Sequence, residues 1–149
     1  MNKFLILLIG TYFLAFVFNF MPALKHPDLD MGILNVLVTV LFMFLLLMYT
    51  KKGNRFLKLF SVFGVISSVI VFIIATFEHT MIGNGIFDIS ATMQYPFYLI
   101  FITPLFGGNI LFDLSYSFYS LLMSLFYGVV FVLTAYSKKE HAKSVASFS

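Results

Sequence analysis

The stretch Lys51-Lys52-Gly53-Asn54-Arg55-Phe56-Leu57-Lys58 separates two long apolar runs and carries four cations in eight residues. Loops rich in Lys and Arg near the ends of membrane spans stay on the cytoplasmic side. Gly53-Asn54 is a turn dipeptide in reverse order, short enough to join two antiparallel helices. The cluster therefore reads as a basic cytoplasmic loop, residues 51–58, between one helical hairpin on its N-terminal side and another on its C-terminal side. The expected fold is an all-α integral membrane protein, a four-transmembrane-helix bundle with both termini in the cytoplasm.

Composition agrees. Of 149 residues, 61% are apolar and 10% are charged, against ~25% charged in a typical soluble domain. The mean hydropathy is +1.02. A net charge of +3 raises the question of nucleic acid, but the charges lie in the wrong places for it. Eight of the nine Lys and Arg are Lys3, the four of the loop, and Lys138, Lys139 and Lys143. They flank apolar runs and form no face, so they carry orientation and no nucleic-acid footprint. With no cysteine, disulfides, thiolate metal sites and palmitoylation are excluded. With no tryptophan, tyrosine must supply any aromatic belt. The excess of Phe, Ile, Asn, Lys and Tyr suits an AT-rich bacterial genome, so the expected location is a bacterial cell membrane.

Four spans are expected, at about 4–21, 31–50, 59–77 and 115–136. The first is too long for the ~7–15-residue core of a signal peptide, and no small-x-small cleavage site follows it. Pro22 is read as its end. A short polar loop follows, in which Asp28 or Asp30 is placed to cap the second span. In the third span Gly64, Ser68 and Ala75 recur on one face, with Ser61 three residues before Gly64. In the last, Ser120, Ser124 and Gly128 form a four-residue ladder. Small residues at this spacing let helices approach closely, so these two spans are expected to pack together, with self-association as the alternative. The tail, 137–149, is expected to be polar and frayed.

Residues 78–114 form the longest stretch outside the spans. The part from 95 to 112 is apolar but broken by Pro96, Pro104 and Gly107-Gly108-Asn109. Its uninterrupted core, Phe97 to Phe106, is shorter than a span needs. A fifth span would also carry Lys138, Lys139 and Lys143 to the outside, against the positive-inside rule. An interfacial helix or a re-entrant piece is expected, and a re-entrant piece needs protein or water to cover its backbone. Asn2-Lys3-Phe4-Leu5 and Asn54-Arg55-Phe56-Leu57 each precede a span entering from the cytoplasm. A parallel repeat of hairpins would produce this likeness, as would chance.

Little in the sequence suggests chemistry. Asp28, Asp30, Glu78, Asp88 and Asp113 all fall outside the spans, and no charge lies in mid-span, where a proton relay would need one. Two amides are embedded at similar depth, Asn19 and Asn35. A membrane amide seeks a partner, so a hydrogen bond between them is expected. The sharper reading is an outward-facing polar pocket of Asn19, Asn35, Glu78, His79 and Asp113. A metal site from His26, His79 and the outer carboxylates lacks any ligand spacing, since adjacent Glu78 and His79 point about 100° apart on a helix. There is no Gly-x-Ser-x-Gly elbow and no His-Glu-x-x-His. No catalytic residue, cofactor or metal ligand is therefore expected. The expected function is that of a non-enzymatic accessory or interaction subunit, partnered in the lipid bilayer by itself or by another membrane protein. The alternatives are a small oligomeric transporter or channel, and an immunity or envelope-stress membrane protein.

Overall fold

The computed structural model of the chain describes residues 3–26, 31–81, 92 and 94–146, with side chains as far as Phe77 in the third helix and Lys138 in the last. Among them are no strands. Four helices are long and apolar enough to cross a membrane: α1 (Lys3–Lys25), α2 (Ile33–Thr50), α3 (Arg55–Met81) and α4 (Tyr116–Ala146). Between α3 and α4 lies an irregular segment, here called the wedge. It consists of a helical turn at 94–97, a π-turn at Tyr98–Ile102 and a 3₁₀ run at Thr103–Leu111. Runs of Leu, Ile, Phe and Val favour helix wherever water is scarce, because a helix satisfies its own backbone.

The helices are apolar outside and selectively polar inside. In α1 the buried stripe is Leu8, Thr11, Ala15, Asn19, Pro22 and Ala23. In α2 it includes Asn35, Thr39, Phe42, Leu46 and Tyr49. Large side chains such as Phe13, Val17, Leu37, Leu125 and Val132 point away from the protein. A water-soluble bundle would reverse this arrangement.

The ends differ from the expected boundaries in four places, one of them the end of α3, which reaches Met81 instead of stopping at 77. Helix α1 does not stop at Pro22 but continues to Lys25, because another helix replaces the hydrogen bond that proline removes (below). Helix α3 begins inside the basic cluster, at Arg55. The loop shrinks to a turn because Asn54 caps the helix, its Oδ1 accepting the Phe56 N–H at 2.9 Å and its carbonyl the Lys58 N–H at 3.1 Å. Helix α4 runs on through the polar tail to Ala146 rather than fraying after 136. Asp28 and Asp30 lie outside the described residues. Helix α2 starts behind Gly32, whose N–H is held by Asn35 Oδ1 at 2.9 Å.

Lys3, Lys51, Lys52, Arg55, Lys58 and Lys138 lie at one end, and Lys25 at the other. Lys52 Nζ sits 5.4 Å from the centre of the Phe4 ring and 5.6 Å from that of Tyr49. Lys58 Nζ lies 5.2 Å from the Phe131 ring. Gly53 has a positive φ of 56°, and a Cβ there would lie 2.9 Å from the Lys138 backbone. The start of α1, the 51–54 turn and the basic part of α4 therefore share one end. The helices form two pairs, α1 with α2 and α3 with α4, and the wedge lies between them.

The α3–α4 pair packs as the small residues imply, though unevenly. Gly64 faces the Tyr127 ring, and a Cβ at Gly64 would come within 2.5 Å of Tyr127 Cγ. Ser61, Ser68 and Ser120 are fully buried, and Ser124 nearly so. Gly128 is different, since nothing lies within 4 Å of the position its Cβ would occupy. Gly64→Ala should therefore destabilise the protein by about 1–3 kcal/mol through overpacking, whereas Gly128→Ala should be close to neutral. Unfolding in mixed micelles compares the two, and equal effects would contradict this packing.

Candidate functional site

The polar interior is centred on the wedge and is built by two prolines. Proline lacks an N–H, so the carbonyl four residues earlier in a helix loses its donor. Pro22 leaves the Phe18 carbonyl without its partner, and Asn35 Nδ2 of α2 donates to that carbonyl at 2.8 Å. Pro104 offers no N–H to the carbonyls of Ile100 or Phe101. Tyr12 of α1 donates to Ile100 at 2.9 Å, and Tyr127 of α4 donates to Phe101 at 2.7 Å.

The remaining irregular carbonyls are treated likewise. The Pro104 carbonyl accepts from Asn19 Nδ2 at 3.1 Å and from Thr39 Oγ1 at 3.4 Å. The Leu105 carbonyl accepts from the Tyr119 hydroxyl. Tyr98, at the start of the π-turn, donates in turn to the Ala23 carbonyl near the end of α1 at 3.1 Å, one of the helix-end acceptors that have no partner within the helix. At the exit, Asn109 brackets Leu114, with Oδ1 taking its N–H at 3.0 Å and Nδ2 giving to its carbonyl at 2.9 Å.

Asn19 and Asn35 join these bonds into one network. Asn35 Nδ2 also donates to Asn19 Oδ1 at 3.1 Å, and Asn19 Nδ2 to Thr39 Oγ1 at 2.8 Å. All four amide protons of the two residues are thereby used, as is at least one lone pair on each amide oxygen. Wedge and helices touch at backbone distance here: a Cβ on Gly107 would collide with the Asn35 carbonyl, and one on Gly108 would lie 2.9 Å from the Tyr119 hydroxyl. Residues 102–109 are all buried. At the deep end, the Phe101 ring packs against Phe60 at 5.3 Å and Tyr127 at 6.1 Å between centroids.

Of the residues expected to line an outer pocket, three are described with their side chains. Asn19 is wholly buried and Asn35 nearly so, both enclosed by the network. Asp113 stands apart on the turn before α4, exposed and with a φ of 47°, a conformation aspartate tolerates better than most residues. The side chains of Glu78 and His79 lie outside the described residues. His26 packs edge-on against Phe106, with 5.4 Å between ring centroids. Among the described residues no group of three His, Asp or Glu could hold a metal ion.

Sequence reasoning missed the tyrosines. It assigned them to an aromatic belt, yet Tyr98, Tyr119 and Tyr127 are wholly buried and these three and Tyr12 spend their hydroxyls on carbonyls. A signal was present. Tyr116, Tyr119 and Tyr127 are three and eight residues apart, which puts them on one face of a helix, the face opposite a proline-broken apolar segment.

Compared with family models, with curated proteins and with solved structures, the chain matches none.

Because Tyr12 substitutes for the N–H that Pro104 lacks, the two positions should be coupled. Tyr12→Phe should cost about 1–2 kcal/mol in the native background. It should cost less than half of that once Pro104→Ala restores a backbone donor. A double-mutant cycle on unfolding in mixed micelles measures the coupling, and strictly additive costs would contradict it.

Proposed function

We propose that the protein is a non-enzymatic, membrane-embedded interaction subunit, with the four long helices crossing the bilayer and both termini on the cytoplasmic side. Four helices of sufficient length and apolarity support the membrane setting. The common end shared by Lys3, the 51–58 cluster and Lys138 supports the orientation. In this setting the wedge is re-entrant: it enters and leaves on the outer side and turns beside Tyr12, Phe60 and Tyr127.

The observation that carries the interaction reading is the open rung of the α4 ladder, Gly128. Ser120 is used inside the chain. Ser124 and Gly128 border an open groove of about 700 Å³ between α3 and α4, walled by Val62, Ile66, Val129 and Val132. A glycine on a groove floor with open space above it lets a second helix approach to backbone distance. The outward faces of Val129 and Val132 continue the groove toward lipid. A helix from another protein, or from a second copy of this chain, fits such a surface.

A transporter or channel needs reachable polar groups along a path. The embedded amides are spent on each other and on Phe18, Thr39 and Pro104, so the polar interior reads as a structural fastening. An immunity or envelope-stress role rests on size and the outer segment alone, and no observation raises it above the others.

In-membrane crosslinking at native expression level tests the proposal. An abundant crosslink from the α3–α4 groove to one partner, either a second copy or another membrane protein, is expected. Gly128→Leu should reduce it at least about tenfold, the effect of losing about 1.4 kcal/mol of association, and should leave the Tm close to that of the native chain. Crosslinks indifferent to Gly128→Leu would remove the groove as the interaction surface.

A further inference from the structure

At the basic end of the bundle the space between the two helix pairs is open. A cleft of about 360 Å³ lies between α1, α2 and α3, walled by Leu5, Leu8, Ile9, Leu46 and Leu57. Tyr12 and Phe60 close its inner end, and both touch the tip of the wedge. Toward the surroundings it opens past Ile9 and Phe56, which are 42% and 81% exposed. Tyr49 and Asn54 line it at the basic end, where Lys52 lies over the Phe4 and Tyr49 rings.

We infer that this cleft holds one acyl chain of an anionic glycerophospholipid from the surrounding bilayer, with its phosphate at Lys51, Lys52 and Arg55. This inference rests on the membrane setting proposed above. Shape argues for an acyl chain. From Leu5 to Tyr12 the cleft runs seven residues of helix, about 10.5 Å. Its lining ends there at Tyr12 and Phe60, about a third of the roughly 30 Å that a membrane-spanning helix occupies. A spanning helix could not continue along so short a cleft, whereas the end of a single hydrocarbon chain fits it. The walls offer it nothing but apolar contact except at the mouth.

Charge argues for an anionic headgroup. Lys3, Lys51, Lys52, Arg55 and Lys58 cluster at this end, and residues 3–26 and 31–77 contain no acid at all. On the neighbouring tail of α4, Glu140 is the one acid among Lys138, Lys139 and Lys143. Orientation requires only that cations stand on this side. It does not require one to fold back over the aromatic rim of an apolar cleft, as Lys52 does.

Native mass spectrometry of the full chain, delipidated in mild detergent and titrated with defined lipids, decides the matter. One phosphatidylglycerol per chain should bind at least about tenfold more tightly than phosphatidylcholine, since each cation near an anionic headgroup contributes at the scale of a several-fold change. The K51Q/K52Q double variant should bring phosphatidylglycerol down to the level of phosphatidylcholine. Ile9→Trp, a change at a half-exposed position that fills the cleft, should abolish retention of both. Three results would overturn the inference: no retained lipid, retention indifferent to Ile9→Trp, or a free fatty acid held as tightly as phosphatidylglycerol. If one variant fails to fold, the other still decides. The same spectra report oligomeric state, so failure of lipid binding is distinguishable from failure of the interaction proposal.

Discussion

A backbone carbonyl surrounded by hydrocarbon has no water to accept from, and leaving it unpaired costs several kcal/mol. Helices meet this constraint internally, but the wedge cannot. Its π-turn, its 3₁₀ run and Pro104 break the regular ladder, and the surrounding helices supply what is missing. Donors come from α1 through Tyr12 and Asn19, from α2 through Thr39, and from α4 through Tyr119 and Tyr127. The arrangement of the bundle follows. Two helix pairs stand apart at one end because a segment rich in its own unmet acceptors stands between them, and the polar residues face inward because the acceptors are there.

Four helices, most of their ends to within a few residues, and the broken character of 95–112 were legible in the sequence, because long apolar runs report directly on length, whereas the end of α4, ten residues past the last apolar stretch, was not. The proximity of Asn19 and Asn35 followed from their matched depth. What the sequence concealed was the traffic across helices. Pro22 reads locally as a helix end, and only the arrival of Asn35 at the Phe18 carbonyl lets α1 continue. Tyrosine reads as an interfacial residue, and only an acceptor of distant sequence origin turns it inward. The ladder of α4 was visible as a pattern, but its division into used and unused rungs depends on where α3 lies. Local pattern fixes elements, whereas the polar bonds between elements depend on pairs up to 88 residues apart.

The two open surfaces differ in the kind of neighbour they suit. The α3–α4 groove is broad, shallow and floored by a glycine, the shape of a helix seat. The cleft among α1, α2 and α3 is short, closed at its inner end by Tyr12 and Phe60, and has Lys52 over the Phe4 and Tyr49 rings at its mouth. The wedge influences both. By holding the pairs apart it creates the cleft, and by binding Tyr127, whose ring lies on Gly64, it fixes the pairing of α3 and α4 that shapes the groove.

The long reach of the tyrosine bonds has a consequence for synthesis. Tyr12 leaves the ribosome long before Ile100, and Tyr119 and Tyr127 leave after the wedge itself. For that interval the carbonyls of 100–105 have no complete set of donors. Stable docking must therefore await the last helix, so the segment matures as a closing step and not as a template. Such late closure of non-local contacts is slow by nature. In the membrane setting proposed above, it leaves a window in which the half-built bundle exposes unpaired backbone to hydrocarbon, a costly state that only the last helix ends.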